Sequence, residues 1–415
     1  MRFFLSSILC FIACTASAVA RDFFVTAYGA TGDGRTLDTA AIQSALDDAA
    51  AQGGGRVVLP AGVFRSGSIF LRSAVELHLA EGAVLLGSDN IEDYPKRLTR
   101  IEGQRVEWRL ALVNGEHLER VRLTGSGTID GNGAVFWTAF WERRRANPAC
   151  TNLEVERPRL LFLDDCRDIE LRDFTAQNSG FWNLHLYRCR DALLENLRIL
   201  APTTGAPLLA PSSDGIDLDS SQRITVRRCT IAVNDDCIAL KGTKGPHADR
   251  DTDSPPVEDI LIEDCDFAAG HGTLTCGSEA TIVRRVTVRR CRVAGDAHLV
   301  RLKLRSDTPQ RYEDLLFEDL QLDGRALVFD IGPWKQFFDL RGEAPPTHHV
   351  ARVTLRRIRG QFGELGRILG NPGDTFAAFR LEDIELTLKK DAFRRDPIDG
   401  FAIERVTING QPLSP

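Results

Sequence analysis

One short phrase recurs along this chain: two apolar residues flanking any third, then a polar pair, then another apolar residue. It appears as Ile169, Leu171 and Phe174 around Arg172-Asp173, then with Ala192, Leu194 and Leu197, and with Ile224, Val226 and Cys229. Ile260, Ile262 and Cys265 follow, then Val286, Val288 and Cys291, then Leu315, Phe317 and Leu320. Val353, Leu355 and Ile358 repeat it, as do Phe379, Leu381 and Ile384. The second apolar positions stand 23 to 38 residues apart. The period inside each unit is two, that of a strand, and one unit has too few apolar residues to bury a core alone, so the units must stack side by side. Stacking equivalent positions makes parallel sheets, with a turn at each polar pair such as Arg227-Arg228 or Glu263-Asp264. This predicts an all-β right-handed parallel β-helix. Leucine-rich repeats are the competing solenoid, but the regular Leu spacing is missing and β-branched residues hold the strand positions.

A solenoid exposes apolar rungs at its ends and needs caps. Residues 21–55 are expected to supply one. Thr36 to Thr39 offer capping residues, a helical apolar pattern continues to Ala51, and Gly53, Gly54 and Gly55 end it. No linker or composition break follows, which predicts one catalytic-size unit over 21–415. Residues 1–20 carry Arg2, an apolar run from Phe3 to Cys14 and small residues ending Ala18-Val19-Ala20, the pattern of a signal peptide cleaved near Ala18 or Ala20. A lipid anchor at Cys14 is the weaker alternative, because Phe11-Ile12-Ala13 is a poor lead-in. No later stretch is apolar enough for a transmembrane segment, so a secreted or periplasmic protein is expected, working as a monomer.

Arg2 falls in the leader, so the 52 basic side chains become 51 against 58 acidic ones, a net charge of −7. Bulk charge therefore gives no reason to expect nucleic acid as a partner. Eight cysteines remain after Cys10 and Cys14, with no CxxC pair, and a chain this long buries a core without staples. Cys229, Cys265 and Cys291 hold one equivalent inward position, where small buried thiols are expected rather than disulfides or metal ligands.

Stacking also makes distant motifs neighbours. Asp214 in Ser212-Ser213-Asp214-Gly215, the pair Asp235-Asp236, His271 between Gly270 and Gly272, and Arg301-Leu302-Lys303 each fall at or near one edge of a rung. Several carboxylates at one site suit glycosidic hydrolysis, which needs one acid for the leaving oxygen and one carboxylate for water. Asp235 and Asp236 can share a site only at a bend, since adjacent strand residues face opposite ways. Arg301 and Lys303 share an outward face with Leu302 turned to the core, and two cations there suit an anionic sugar. Asp217, Lys241 and Glu279 are further candidates, and Trp334 offers a ring for sugar stacking. Any one of these motifs alone is as well explained by turn chemistry.

In this order the motifs resemble glycoside hydrolase family 28, the polygalacturonases and their relatives, over about 160 to 390. The family's Asn-Thr-Asp, Asp-Asp, Gly-His-Gly and Arg-Ile-Lys read here as Ser212-Ser213-Asp214, Asp235-Asp236, Gly270-His271-Gly272 and Arg301-Leu302-Lys303. The resemblance implies that Asp235 is the general acid, that Asp214 and Asp236 position and deprotonate water in an inverting hydrolysis, and that His271 tunes the acid. It implies a pectic polysaccharide or oligogalacturonide substrate, with no cofactor and no metal. Ser212-Ser213 departs from the family's pair, which leaves homogalacturonan and rhamnogalacturonan both open. The long polar loop 242–256 resembles one in bacterial exo-acting relatives and suggests cleavage at a chain end, and the bulky segment 137–145 is expected to help close the pocket. A calcium-dependent polysaccharide lyase and a non-catalytic polysaccharide-binding β-helix are the alternatives.

Overall fold

The structure is a computed structural model and describes residues 21–335 and 339–414; the expected signal peptide lies outside them. Among the described residues the fold is a right-handed parallel β-helix whose strands form one 11-stranded and one 23-stranded sheet. The repeat read from the sequence stacks residue on residue. Leu171 lies beside Leu194, then Val226, Ile262, Val288, Phe317, Leu355 and Leu381, all in parallel register. Each is essentially inaccessible to solvent, and truncating one to Ala would cost about 2–5 kcal/mol.

The polar pairs make the corners. The second member of each, Asp173, Asn196, Arg228, Asp264, Arg290, Asp319, Arg357 and Asp383, sits in the left-handed region at φ between 51° and 69°. The corners also alternate in charge along the stack: Arg289 and Arg290 donate to Glu263 one turn back, and Arg356 and Arg357 to Glu318. Cys229, Cys265 and Cys291 stack as buried free thiols.

Helix α1, Thr39–Ala51, buries Ile42, Ala45, Leu46 and Ala49 on the first rungs, as its apolar spacing predicts. Its start differs from expectation: the Asp38 carboxylate accepts from the Thr31 and Gly32 amides, tying the preceding turn to the helix instead of capping it. Two insertions interrupt the rungs, and neither was expected as a secondary-structure element. One is an antiparallel hairpin, Lys96–Ile101 with Gln104–Arg109. The other is a second helix, α2, Ala134–Ala146, where the bulky segment lies. The fold therefore carries more than the one short helix expected.

The hairpin lies over the outward face of the 11-stranded sheet. Ile101 and Trp108 pack on Phe181 and Trp182, and Arg100 forks onto Asp219 at 2.8 Å and 3.2 Å. Arg159, fully buried, donates to the Arg100 carbonyl at 2.8 Å and the Thr99 hydroxyl at 2.9 Å.

Candidate active site

Four successive strands of the 11-stranded sheet bring the site together: Ile216–Asp219, Ile238–Lys241, Gly272–Cys276 and His298–Arg305. Asp214, Asp235, Asp236 and His271 lie in the segments just before the first three. Backbone bonds lock these segments together, from the Gly215 amide to the Asp236 carbonyl at 2.9 Å and from the Cys237 amide to the Gly272 carbonyl at 2.7 Å. Asp235 and Asp236 lie in a bend, as their shared site requires. Their neighbours hold it: the Asp235 Oδ1 accepts from the Asp236 amide at 3.0 Å, and the Asp235 carbonyl accepts from the His271 amide at 2.8 Å. Asn183 donates to the carbonyls of Ser213 and Asp214, which fixes the third carboxylate from the rung behind.

One oxygen from each of Asp214, Asp235 and Asp236 lies within 4.8 Å of the others. This is tighter than the ~6.5–9.5 Å expected between acid and base when water enters from the opposite side. The crowding is tolerable because the charges are answered. Buried Asp236 accepts from Arg301 Nη1 at 2.9 Å and Lys303 Nζ at 2.7 Å. Burial alone would raise its pKa, but those two cations outweigh it and hold Asp236 well below the usual carboxylate range. Asp235 is likewise lowered: burial opposes ionisation, but the imidazole of His271, with Nδ1 at 3.2 Å from Oδ1, prevails. The same bond raises the pKa of His271. Asp214 is the exception, because burial pushes it up to about 6 although Lys241 Nζ stands at 3.1 Å. Of the three carboxyls, Asp214 is thus raised where Asp235 and Asp236 are lowered.

The two cations expected at the sugar carboxylate are committed to Asp236, and Arg301 Nε also stands 3.3 Å from Asp330. Both still line the cavity, and Lys303 Nζ lies 4.8 Å from the centre of the Trp334 ring, which lines it too. Lys241 and Glu279 are also at the cavity wall. Burial opposes charge on Glu279, but Lys241, Lys244 and Arg305 overcome this and lower it to about 2.

Three expected substrate contacts are placed differently. Asp217 is fully buried and does not line the cavity. Its strand turns it outward, but the hairpin roofs that face, and burial together with the charge of Asp214 raises its pKa well above the ordinary carboxylate value. Gly270 and Gly272 do not line the cavity either. They allow close approach: a Cβ on Gly272 would lie 2.2 Å from Thr275 Oγ1 and 3.0 Å from Asp236 Oδ1, and one on Gly270 would lie 2.5 Å from Cys237 Sγ. Phe337 and Phe338, the other rings of the segment around Trp334 that the sequence offers for sugar stacking, lie outside the described residues.

The cavity measures about 380 Å³, within the ~300–1,000 Å³ common for small-ligand sites. Much of its wall comes from the insertions: Glu102 from the hairpin tip, Phe140, Trp141 and Arg144 from α2, and Asn152 just beyond it. Arg144 donates to the Cys150 carbonyl at 3.2 Å, and among the described residues it has no ion-pair partner. Buried Arg157 stacks between Phe140 and Phe181 and donates to the Pro211 carbonyl at 2.7 Å, joining α2 to the segment that leads into Asp214. The Phe136, Trp137, Phe140, Trp141 spacing is helical, so α2 had a readable signal; Glu102 and Asn152 had none.

The family model for glycosyl hydrolases family 28 matches residues 70–393, and one for rhamnogalacturonase A/epimerase, pectate lyase-like, matches residues 23–92. A Vitis vinifera protein named "Probable polygalacturonase" is 34% identical over 223 residues, 52% of this chain and 43% of that protein. An exo-poly-alpha-D-galacturonosidase of Dickeya chrysanthemi is 27% identical over 310 residues, 64% of this chain and 48% of that protein. The chain thus spans less than half the length of these two curated relatives. Among solved structures, an exopolygalacturonase from Thermotoga maritima superposes with a TM-score of 0.77 at 24% identity, over 95% of this chain and 93% of that one, a likeness of fold.

Proposed function

Because the chain belongs to glycosyl hydrolases family 28, we propose that it hydrolyses α-linked galacturonate at the end of a pectic polysaccharide or oligogalacturonide. The observation that carries this is three carboxylates converging beside His271 in a cavity that the hairpin and α2 wall in. The named exo-acting relatives from Dickeya chrysanthemi and Zea mays support chain-end cleavage.

In this reading Asp235 protonates the glycosidic oxygen with the proton it shares with the His271 imidazolium. Asp236, held ionised by Lys303 and Arg301, and Asp214, once ionised, orient water and accept its proton as its oxygen bonds to the anomeric carbon. The C–O bond to the leaving sugar breaks, and inversion of an α-linkage yields the β-anomer first. Arg144, the cation at the wall without an ion pair among the described residues, is available to a uronate carboxylate. Trp334, partly exposed at the wall, offers a ring to the sugar.

A lyase would need a basic side chain free to take the substrate's proton. The cations beside the carboxylates, Lys241, Arg301 and Lys303, are each ion-paired here, whereas Arg144 at the wall is not, so unsaturated products absorbing in the ultraviolet are what would mark a lyase. The whole span from residue 21 is read as one unit, acting outside the cytoplasm as a monomer; no helix among the described residues is long and apolar enough to cross a membrane. The test is digestion of homogalacturonan and rhamnogalacturonan with the protein and with Asp235→Asn. Reducing sugar from the first only, with equal melting temperatures, is expected; no reducing sugar from any pectic substrate contradicts the reading.

A further inference from the structure

The hairpin tip places an acid at one wall of a cavity meant for an acidic sugar. Glu102 and Gly103 form the two-residue turn between Ile101 and Gln104, both at positive φ, 43° and 73°. Hairpin turns of this kind take Asn, Asp or Gly at the first position, where their backbone cost is least. A Glu there meets no demand of the turn.

The tip is also firmly seated. A Cβ on Gly103 would lie 2.9 Å from both Glu279 Cβ and the Gly242 carbonyl oxygen, so the turn is wedged between the strand edge and the 242–256 loop. Behind it, Trp108 Nε1 donates to the Arg157 carbonyl at 3.0 Å. Glu102 is therefore held in place. Its Oε1 accepts from Asn152 Nδ2 at 3.2 Å. Its Oε2 has Lys244 Nζ only at 3.9 Å, beyond hydrogen-bond reach, and among the described residues accepts no hydrogen bond. An oriented acceptor at a cavity wall, with one oxygen fixed and the other open, is suited to a sugar hydroxyl.

We propose that Glu102 recognises the free C4 hydroxyl of the non-reducing terminal galacturonate and so selects chain ends over chain interiors. The inference rests on the exo-acting hydrolase reading above. A terminal unit offers a hydroxyl at C4. An interior unit carries a glycosidic oxygen there instead, with no hydrogen to donate, and the next uronate would bring its own negative charge against Glu102 and Glu279. The reducing end is the poorer match, because its anomeric hydroxyl interconverts between two orientations while the C4 hydroxyl has one. Burial and the nearby Glu279 raise the pKa of Glu102; ionised or neutral, its carboxyl oxygen accepts from a hydroxyl.

The probe is a pair of trigalacturonates, one with an ordinary non-reducing end and one with the 4,5-unsaturated end that a lyase leaves, which lacks the C4 hydroxyl. Wild-type protein should prefer the saturated substrate by about 100-fold in kcat/KM, since a site built around a hydroxyl rejects the analogue that lacks it. Glu102→Ala, which removes the acceptor, and Glu102→Asn, favourable to the turn but a methylene shorter in reach, should both lower activity on the saturated substrate and narrow the preference to within about threefold, an equalisation that a general structural lesion would not produce. Equal wild-type rates on the two substrates, or a preference that survives both substitutions, overturns the role of Glu102 while leaving hydrolysis intact. Failure of the wild type to cleave either substrate overturns the hydrolase reading and this inference with it.

Discussion

As the proposed acid, Asp235 meets two demands at once, since it must hold a proton for the leaving oxygen and yet has its pKa lowered by His271 at 3.2 Å. The two are reconciled if the proton belongs to the Asp235–His271 pair and moves onto the carboxylate as the bond breaks. Asp235→Asn should then lower kcat on oligogalacturonate by about 10²–10⁴-fold but far less on an activated galacturonide whose leaving group needs no proton. Asp214→Asn should impair both substrates alike; the reverse pattern would assign the acid to Asp214. The pH profile carries the same sign. Asp214 must lose its proton to assist water, so activity should rise with pH through about 6 and fall again as His271, whose pKa is raised by Asp235, deprotonates. His271→Ala should remove or shift the alkaline limb, and a wild-type rate still climbing far below pH 6 would contradict the assignment. That these residues come together in one cavity was legible because each falls at or near an equivalent place in a repeat whose register the sequence states. Asp217 misled for the same reason: period two correctly turns it outward, but the repeat says nothing of the hairpin that covers it.

At the scale of elements, the strand Gly272–Cys276 shows how little slack the site has. Gly272→Ala would drive a methyl group against Thr275 Oγ1 and Asp236 Oδ1, displacing the carboxylate that Arg301 and Lys303 hold. Activity should fall by about 100-fold or more, as expected for a shift near 1 Å at reacting groups, with the bulk of the fold kept; near-normal kcat/KM would mean that Asp236 is less constrained than its contacts indicate. The stacked strands and corner turns were readable because every unit repeats the same apolar spacing. The elements that shape the cavity, the hairpin and α2, interrupt that repeat. Their local signals give at most a helix, and where each docks depends on contacts such as Trp108 on Phe181 and Arg157 between Phe140 and Phe181, which no local pattern encodes.

Over the whole molecule, a β-helix offers a long open face along which a polymer could lie across several rungs. Here that face is interrupted: the hairpin stands over the sheet at Asp219, and α2 with the Glu102 turn walls the cavity beside the carboxylates. In the proposed exo-acting mode, a chain running toward the N-terminal rungs meets the hairpin, and a terminal unit is what reaches Asp235. The most direct test is a time course of products from polygalacturonate, resolved by chromatography alongside solution viscosity. Monomeric galacturonate is expected from the earliest time point, with viscosity almost unchanged. A ladder of oligomers with a rapid loss of viscosity, or unsaturated products that absorb in the ultraviolet, would contradict it.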